Sequence, residues 1–148
     1  MTELESHDVQ VNGIRLHVAA QGKGPLVLLC HGFPETSHAW RHQLPALART
    51  GFRAVAPDLR GYGASDSPAD AAAYTTMDVI GDLVALVRHE GATRAMIVGT
   101  DWGANIAWQA AQMRPDVFRA IAALGVPMMG RAPMLPSQLF PKTESAVF

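Results

Sequence analysis

The stretch Ala95-Met96-Ile97-Val98-Gly99-Thr100-Asp101-Trp102-Gly103-Ala104, continuing from Asn105 to Arg114, decides how this chain is read. Ala95 to Val98 is an apolar run of strand length. Gly103 to Arg114 is an Ala-rich helical segment that Pro115 stops. Between them, Gly99-Thr100-Asp101-Trp102-Gly103 has the layout of a nucleophile elbow, G-x-Nu-x-G, with Asp where Ser is commoner. Such a turn is so tight that side chains two before and two after the nucleophile collide, which explains glycine at both places. A helix beginning behind Asp101 brings positive potential from its N-terminus and keeps the carboxylate ionised. The competing reading makes Asp101 an ordinary helix N-cap, a role Asp often fills.

The elements upstream agree with a layered α/β arrangement. Val9 and Val11, then Asn12-Gly13, then Ile14, Leu16 and Val18 alternating with Arg15 and His17, predict two half-buried strands joined by a type I′ turn. Leu26 to Cys30 is uninterruptedly apolar, as in a central strand covered on both faces. Residues 38–49 read as helical, with Pro45 interrupting the helix or opening its second part, and Phe52 to Ala56 as a strand. Asp58 to Asp70 is a Gly- and Ser-rich loop. Thr75 and Asp78 form a capping box for a helix that Gly91 ends, and Phe118 to Leu124 is a last strand. Strands alternating with helices imply a parallel sheet led by an antiparallel hairpin.

A second motif, His31-Gly32-Phe33-Pro34, follows the strand Leu26 to Cys30 directly. An oxyanion hole needs backbone N–H groups aimed at one point, and those of Phe33 and Trp102 are the natural donors. Pro34 fixes the loop through a cis bond. His31 reads as a buried residue holding the loop by hydrogen bonds, not as a group that titrates in catalysis.

Composition narrows the rest. The chain has 148 residues, a formal charge of −1 and a single cysteine, Cys30. A near-neutral surface argues against nucleic acid as a partner. One cysteine excludes an internal disulfide and a Cys-based zinc site. No apolar run approaches the roughly 18 residues of a membrane span. Met1 to Asp8 lacks the basic and apolar regions of a signal peptide, so a cytoplasmic location is expected.

Together His31-Gly32-Phe33-Pro34-Glu35, Trp40, Pro45-Ala46-Leu47, Asp58-Leu59-Arg60-Gly61-Tyr62-Gly63-Ala64-Ser65 and Gly99-Thr100-Asp101-Trp102-Gly103 resemble the ordered motifs of soluble epoxide hydrolases. These are α/β-hydrolase-fold enzymes related to haloalkane dehalogenases. The resemblance implies that fold over the N-terminal part of the core, with Asp101 as nucleophile and Phe33 and Trp102 as oxyanion-hole donors. Gly99, Gly103, His31, Gly32 and Pro34 support them. It also implies an epoxide and water as reaction partners, and neither metal nor organic cofactor. The loop from Asp58 to Ser65 is structural on this reading.

The sequence departs from the family where turnover needs a base. His7, His17, His31, His38, His42 and His89 all precede Asp101, and only Asp116 and Glu144 are acids after it. The fold orders its groups nucleophile, acid, base. Tyr62 and Tyr74 lie outside any cap region, so neither stands for the family's cap tyrosines. Residues 1–125 therefore read as the N-terminal part of the core, and 126–148 as a Pro-rich segment leading toward an absent cap. The expectation is the front part of a longer protein, inactive alone or halted after one alkylation. A haloalkane dehalogenase is the nearest alternative: the Trp102 indole N–H suits a halide, but Phe33 offers no second side-chain donor. A non-catalytic α/β-hydrolase-like binding protein is the alternative of another class. A serine esterase is excluded, because no Ser occupies the elbow.

Overall fold

The computed structural model describes residues 3–128. Most of the Pro-rich segment read as the approach to a cap, from 129 onward, lies outside the described residues. The hairpin forms as its residues dictate. Strands β1 (Glu5–Val11) and β2 (Ile14–Gln21) pair antiparallel, with Val11 opposite Ile14. Asn12 and Gly13 take φ of 49° and 80°, the two positive angles a type I′ turn needs. Strands β3 (Leu26–Cys30), β4 (Arg53–Pro57), β5 (Ala95–Thr100) and β6 (Phe118–Leu124) complete a six-stranded sheet of order β1-β2-β4-β3-β5-β6. β2 meets β4 antiparallel, and β4, β3, β5 and β6 run parallel to one another.

All five residues of β3 are buried, and their alternation divides the core. Leu28 joins Val55, Ile97, Leu83, Leu86, Ala107 and Ala110 beneath helices α2 (Thr76–His89) and α3 (Trp102–Met113). Val27 and Leu29 join Trp40, Leu44, Ala54 and Ala56 on the side of helix α1 (Gln43–Arg49). Each Val, Leu or Ile among them withdrawn from water contributes about 1.5–3 kcal/mol, so a sheet apolar on both faces demands both helical layers. At the far edge, Ala120, Ala122 and Leu124 of β6 are exposed.

Both ends of α2 follow local rules. Thr75 and Asp78 make the reciprocal capping box. Gly91, at φ 73°, donates to Arg88 O at 3.0 Å while Ala92 N–H reaches Val87 O at 3.1 Å, a Schellman motif. The segment read as helical over 38–49 is a 3₁₀ turn, Ser37–Trp40, followed by α1, with the break before Gln43 and not at Pro45. Pro45 is the third residue of α1, where a missing N–H leaves no intrahelical bond unmade. A second 3₁₀ turn, Ala71–Tyr74, stands where no element was expected; Asp70 caps it by accepting from Ala72 N–H at 2.9 Å.

A polar network ties the loop after β4 to the rest. Asp58 accepts from Ser37 N–H at 2.7 Å and from Ala64 N–H at 2.9 Å. Burial opposes its charge, yet these bonds from Ala64 and Ser37 win and hold its carboxyl below the usual range. His31 is fully buried: Nδ1 donates to Gly32 O at 2.9 Å, and Nε2 accepts from Leu59 N–H at 3.0 Å. These partners require the neutral ring, and desolvation lowers its affinity for a proton. Arg60 and Asp82, both buried, form a bidentate pair with contacts of 2.7 and 2.6 Å, which Asn12 joins through Nδ2 to Asp82 Oδ1 at 2.8 Å. Loop, helix α2 and hairpin turn are thereby locked together.

Removing one member of the buried pair strands the other. Asp82→Ala is expected to cost about 3–5 kcal/mol in urea unfolding, and Arg60→Met with Asp82→Leu to recover much of it. His31 makes a pH prediction. Its proton affinity is lower folded than unfolded, so the unfolded chain gains the proton first on acidification. Stability is therefore full above about 6.5, the ordinary imidazole value, and declines as pH falls toward the depressed folded value. Urea midpoints measured from pH 7 downward should show this slope, and His31→Gln should flatten it while lowering the midpoint at pH 7.

Candidate active site

The elbow stands between β5 and α3. Asp101 has φ 52° and ψ −123°, a conformation that strains a residue bearing a Cβ. Its carbonyl accepts from Ala104 N–H at 3.0 Å and Asn105 N–H at 3.3 Å and so opens α3. Its side chain makes no capping bond. Asp101 thus occupies the N-cap position without doing what an N-cap side chain does, and the carboxylate is turned elsewhere.

It is turned toward the loop after β3. Phe33 N–H donates to Asp101 Oδ1 at 3.0 Å across 68 residues of sequence. The Phe33 N–H and then the Trp102 N–H hold the carboxyl below its ordinary range. The two backbone groups named from the sequence therefore bear on one carboxylate. The loop carrying Phe33 has a cis Phe33–Pro34 peptide, as expected, and a turn in which Glu35 N–H donates to Gly32 O at 3.0 Å. Gly32 N–H in turn donates to Glu35 Oε2 at 3.2 Å.

The glycines earn their places by contact. A Cβ on Gly99 would lie 2.1 Å from Gly103 O, and one on Gly103 would lie 2.1 Å from Cys30 O. A Cβ on Gly32 would come within 2.5 Å of Asp101 Cβ. No side-chain movement relieves the first two clashes, because the obstruction is backbone.

Phe33 and Trp102 are exposed beside the carboxylate. A cleft of about 220 Å³ opens next to them, walled by Tyr62, Tyr74, Val79, Trp102 and Ile106 over a floor that includes His31. The Tyr62 ring meets His31 edge-on at 5.0 Å, and the Tyr74 hydroxyl donates to Pro68 O at 2.8 Å, which ties it to its own loop. His31 lies beneath the site with both nitrogens already bonded. The charged groups of the 58–65 loop were expected to tie it down, but their partners, Asp82 among them, were not singled out from the sequence. Among the described residues no group of three or more His, Cys, Asp or Glu is placed to hold a metal ion, and no helix is long and apolar enough to cross a membrane.

The chain is similar to known proteins. The chain is 52% identical over 128 residues to an epoxide hydrolase of Caballeronia sordidicola, covering 86% of this chain and 39% of that one. It is 47% identical over 134 residues to epoxide hydrolase A of Mycobacterium tuberculosis, covering 89% of this chain and 42% of the relative. Among solved structures, an epoxide hydrolase of Vigna radiata superposes with TM-score 0.85 at 48% identity, over 88% of this chain and 41% of that one. Epoxide hydrolase A of Mycobacterium thermoresistibile gives 0.88 at 41% identity, over 93% and 44%. The chain thus spans about two fifths of the length of the relatives it matches. A family model described as the alpha/beta hydrolase fold matches residues 25–146, and with the sheet order and elbow above it, the chain belongs to that family.

Proposed function

We propose that the protein carrying this chain hydrolyses epoxides to vicinal diols, with Asp101 as the nucleophile. The observation that carries this reading is the bond from Phe33 N–H to Asp101 Oδ1, made by a carboxylate that caps nothing. With Oδ1 engaged, Oδ2 attacks a ring carbon; the carbon–oxygen bond of the epoxide breaks and an alkyl ester forms on Asp101. The alkoxide takes a proton from an acid. Water then adds to the Asp101 carbonyl carbon, and negative charge develops on Oδ1. The N–H groups of Phe33 and Trp102 stabilise that charge without having to reorient. Collapse releases the diol and restores the carboxylate.

The base that activates this water has no candidate in the site. His31 is committed to Gly32 and Leu59, and the other histidines of these 148 residues all precede Asp101. The relatives named above are more than twice as long, and on this reading the base, its acid partner and the proton donors for the epoxide oxygen come from sequence of that kind. The substrate partners are an epoxide and water, and the compartment is the cytoplasm.

In a polypeptide that continues past Phe148 and turns over epoxides, Asp101→Ala should lower diol formation by about 10⁴-fold or more, as deletion of a covalent nucleophile does. Undiminished ring opening would overturn the assignment, and halide release from haloalkanes in place of diol formation would favour the dehalogenase. The 148-residue chain by itself should lack multiple turnovers, because a missing general base forfeits about 10²–10⁴-fold. Styrene oxide followed by peptide mass spectrometry should place any stable ester on Asp101, and sustained diol release by this chain alone would contradict the scheme.

A further inference from the structure

A second nucleophile stands at the opposite edge of the sheet, on β1, with three strands between it and β5. Ser6 and Asp8 alternate along β1 and so share one face, and Asp8 lies opposite His17 of β2. Ser6 Oγ is 3.0 Å from His17 Nε2, and His17 Nδ1 is 2.8 Å from Asp8 Oδ1. The serine is exposed, and the imidazole is one quarter exposed, at 26%. From this geometry we infer that Ser6 is a site of covalent acylation by activated esters, independent of Asp101.

The tautomer of His17 decides whether it can accept the Ser6 proton. Asp8 is a carboxylate, held below the ordinary range first by its bond to His17 and then by its bond to Arg15. A carboxylate only accepts, so Nδ1 donates to Asp8, and in the neutral ring Nε2 presents its lone pair to the Ser6 hydroxyl. The other Asp8 oxygen takes Arg15 Nη1 at 2.9 Å, which fixes the carboxylate. Backbone bonds fix the histidine: His17 N–H donates to Ser65 Oγ at 2.9 Å, and His17 O accepts from Asp58 N–H at 2.8 Å. Hydroxyl, base and orienting acid thus meet the geometric signature of an activated nucleophile. No hydrogen bond in this arrangement comes from the elbow, so the two sites stand or fall separately.

The step balances without a further reagent. Ser6 Oγ attacks the carbonyl carbon of the ester while its proton passes to His17 Nε2. The bond from that carbon to the leaving oxygen breaks, and the leaving group departs as an anion or takes the proton from the imidazolium. The product is an ester on Ser6. Ser6 lies exposed on an edge strand, so the donors that suit it are small esters with good leaving groups.

The test uses the whole chain with p-nitrophenyl acetate and reads acetylation peptide by peptide, comparing Ser6 with the exposed Ser67. Ser6 should be labelled at least about 10-fold faster, a fraction of what a positioned base supplies in an enzyme. His17→Gln should bring the ratio to about one, and Asp8→Asn, at an exposed position, should lower it severalfold. Ser6→Ala should remove the label from that peptide. Equal labelling of Ser6 and Ser67 in the unaltered chain overturns the inference whatever the variants do. An unchanged ratio in folded His17→Gln also overturns it.

Discussion

The whole arrangement depends on backbone approaching backbone where α3 starts above the end of β3. A Cβ on Gly103 would stand 2.1 Å from the carbonyl of Cys30, and one on Gly99 equally close to that of Gly103. Absence of two methyl-sized groups therefore lets β5 turn into α3 within a single residue. That residue is Asp101, at positive φ. The strain is held by α3 packing under Leu83 and Leu86 of α2 and by the parallel pairing of β5 with β3. Only with the helix that low does the carboxylate meet the amide of Phe33.

Much of this was legible where chemistry is local. Asn12-Gly13 named its turn, five apolar residues named β3, and Thr75 with Asp78 named the start of α2. The elbow and the loop after β3 were legible as separate motifs, each followed from residue type to backbone geometry. Their meeting is a long-range fact, bridged by one bond between residues 68 apart. What stayed illegible depends on partners that sequence does not align. Asp82 interrupts the buried face of α2 because Arg60, 22 residues earlier in a loop, neutralises it. The region 38–49 reads as helical because Trp40, Leu44 and Leu47 keep a helical period across the break. The hairpin reads from Val9 onward in the sequence, whereas β1 starts at Glu5, so the placing of Ser6 and Asp8 about His17 was not legible.

The two histidines that the fold immobilises show how context sets a role. His31 is dry, bonded by main-chain groups on both nitrogens, and serves as a strut between two loops. It brings no positive charge under Asp101, and it is the amides of Phe33 and Trp102 that hold the carboxyl below its ordinary range. His17 is bonded by side chains and open to water, which leaves its basic nitrogen directed at a hydroxyl.

The groups that bond the Asp101 carboxylate belong to the main chain, and this separates its hydrogen bonds from the identity of the residues that supply them. The aromatic side chains at 33 and 102 project outward while their amides point in. Exchange of either side chain, proline excepted because it lacks the N–H, leaves the donor in place and reshapes only the entrance. The rim around the carboxylate and the dipoles that anchor it are thereby supplied by different atoms of the same two residues.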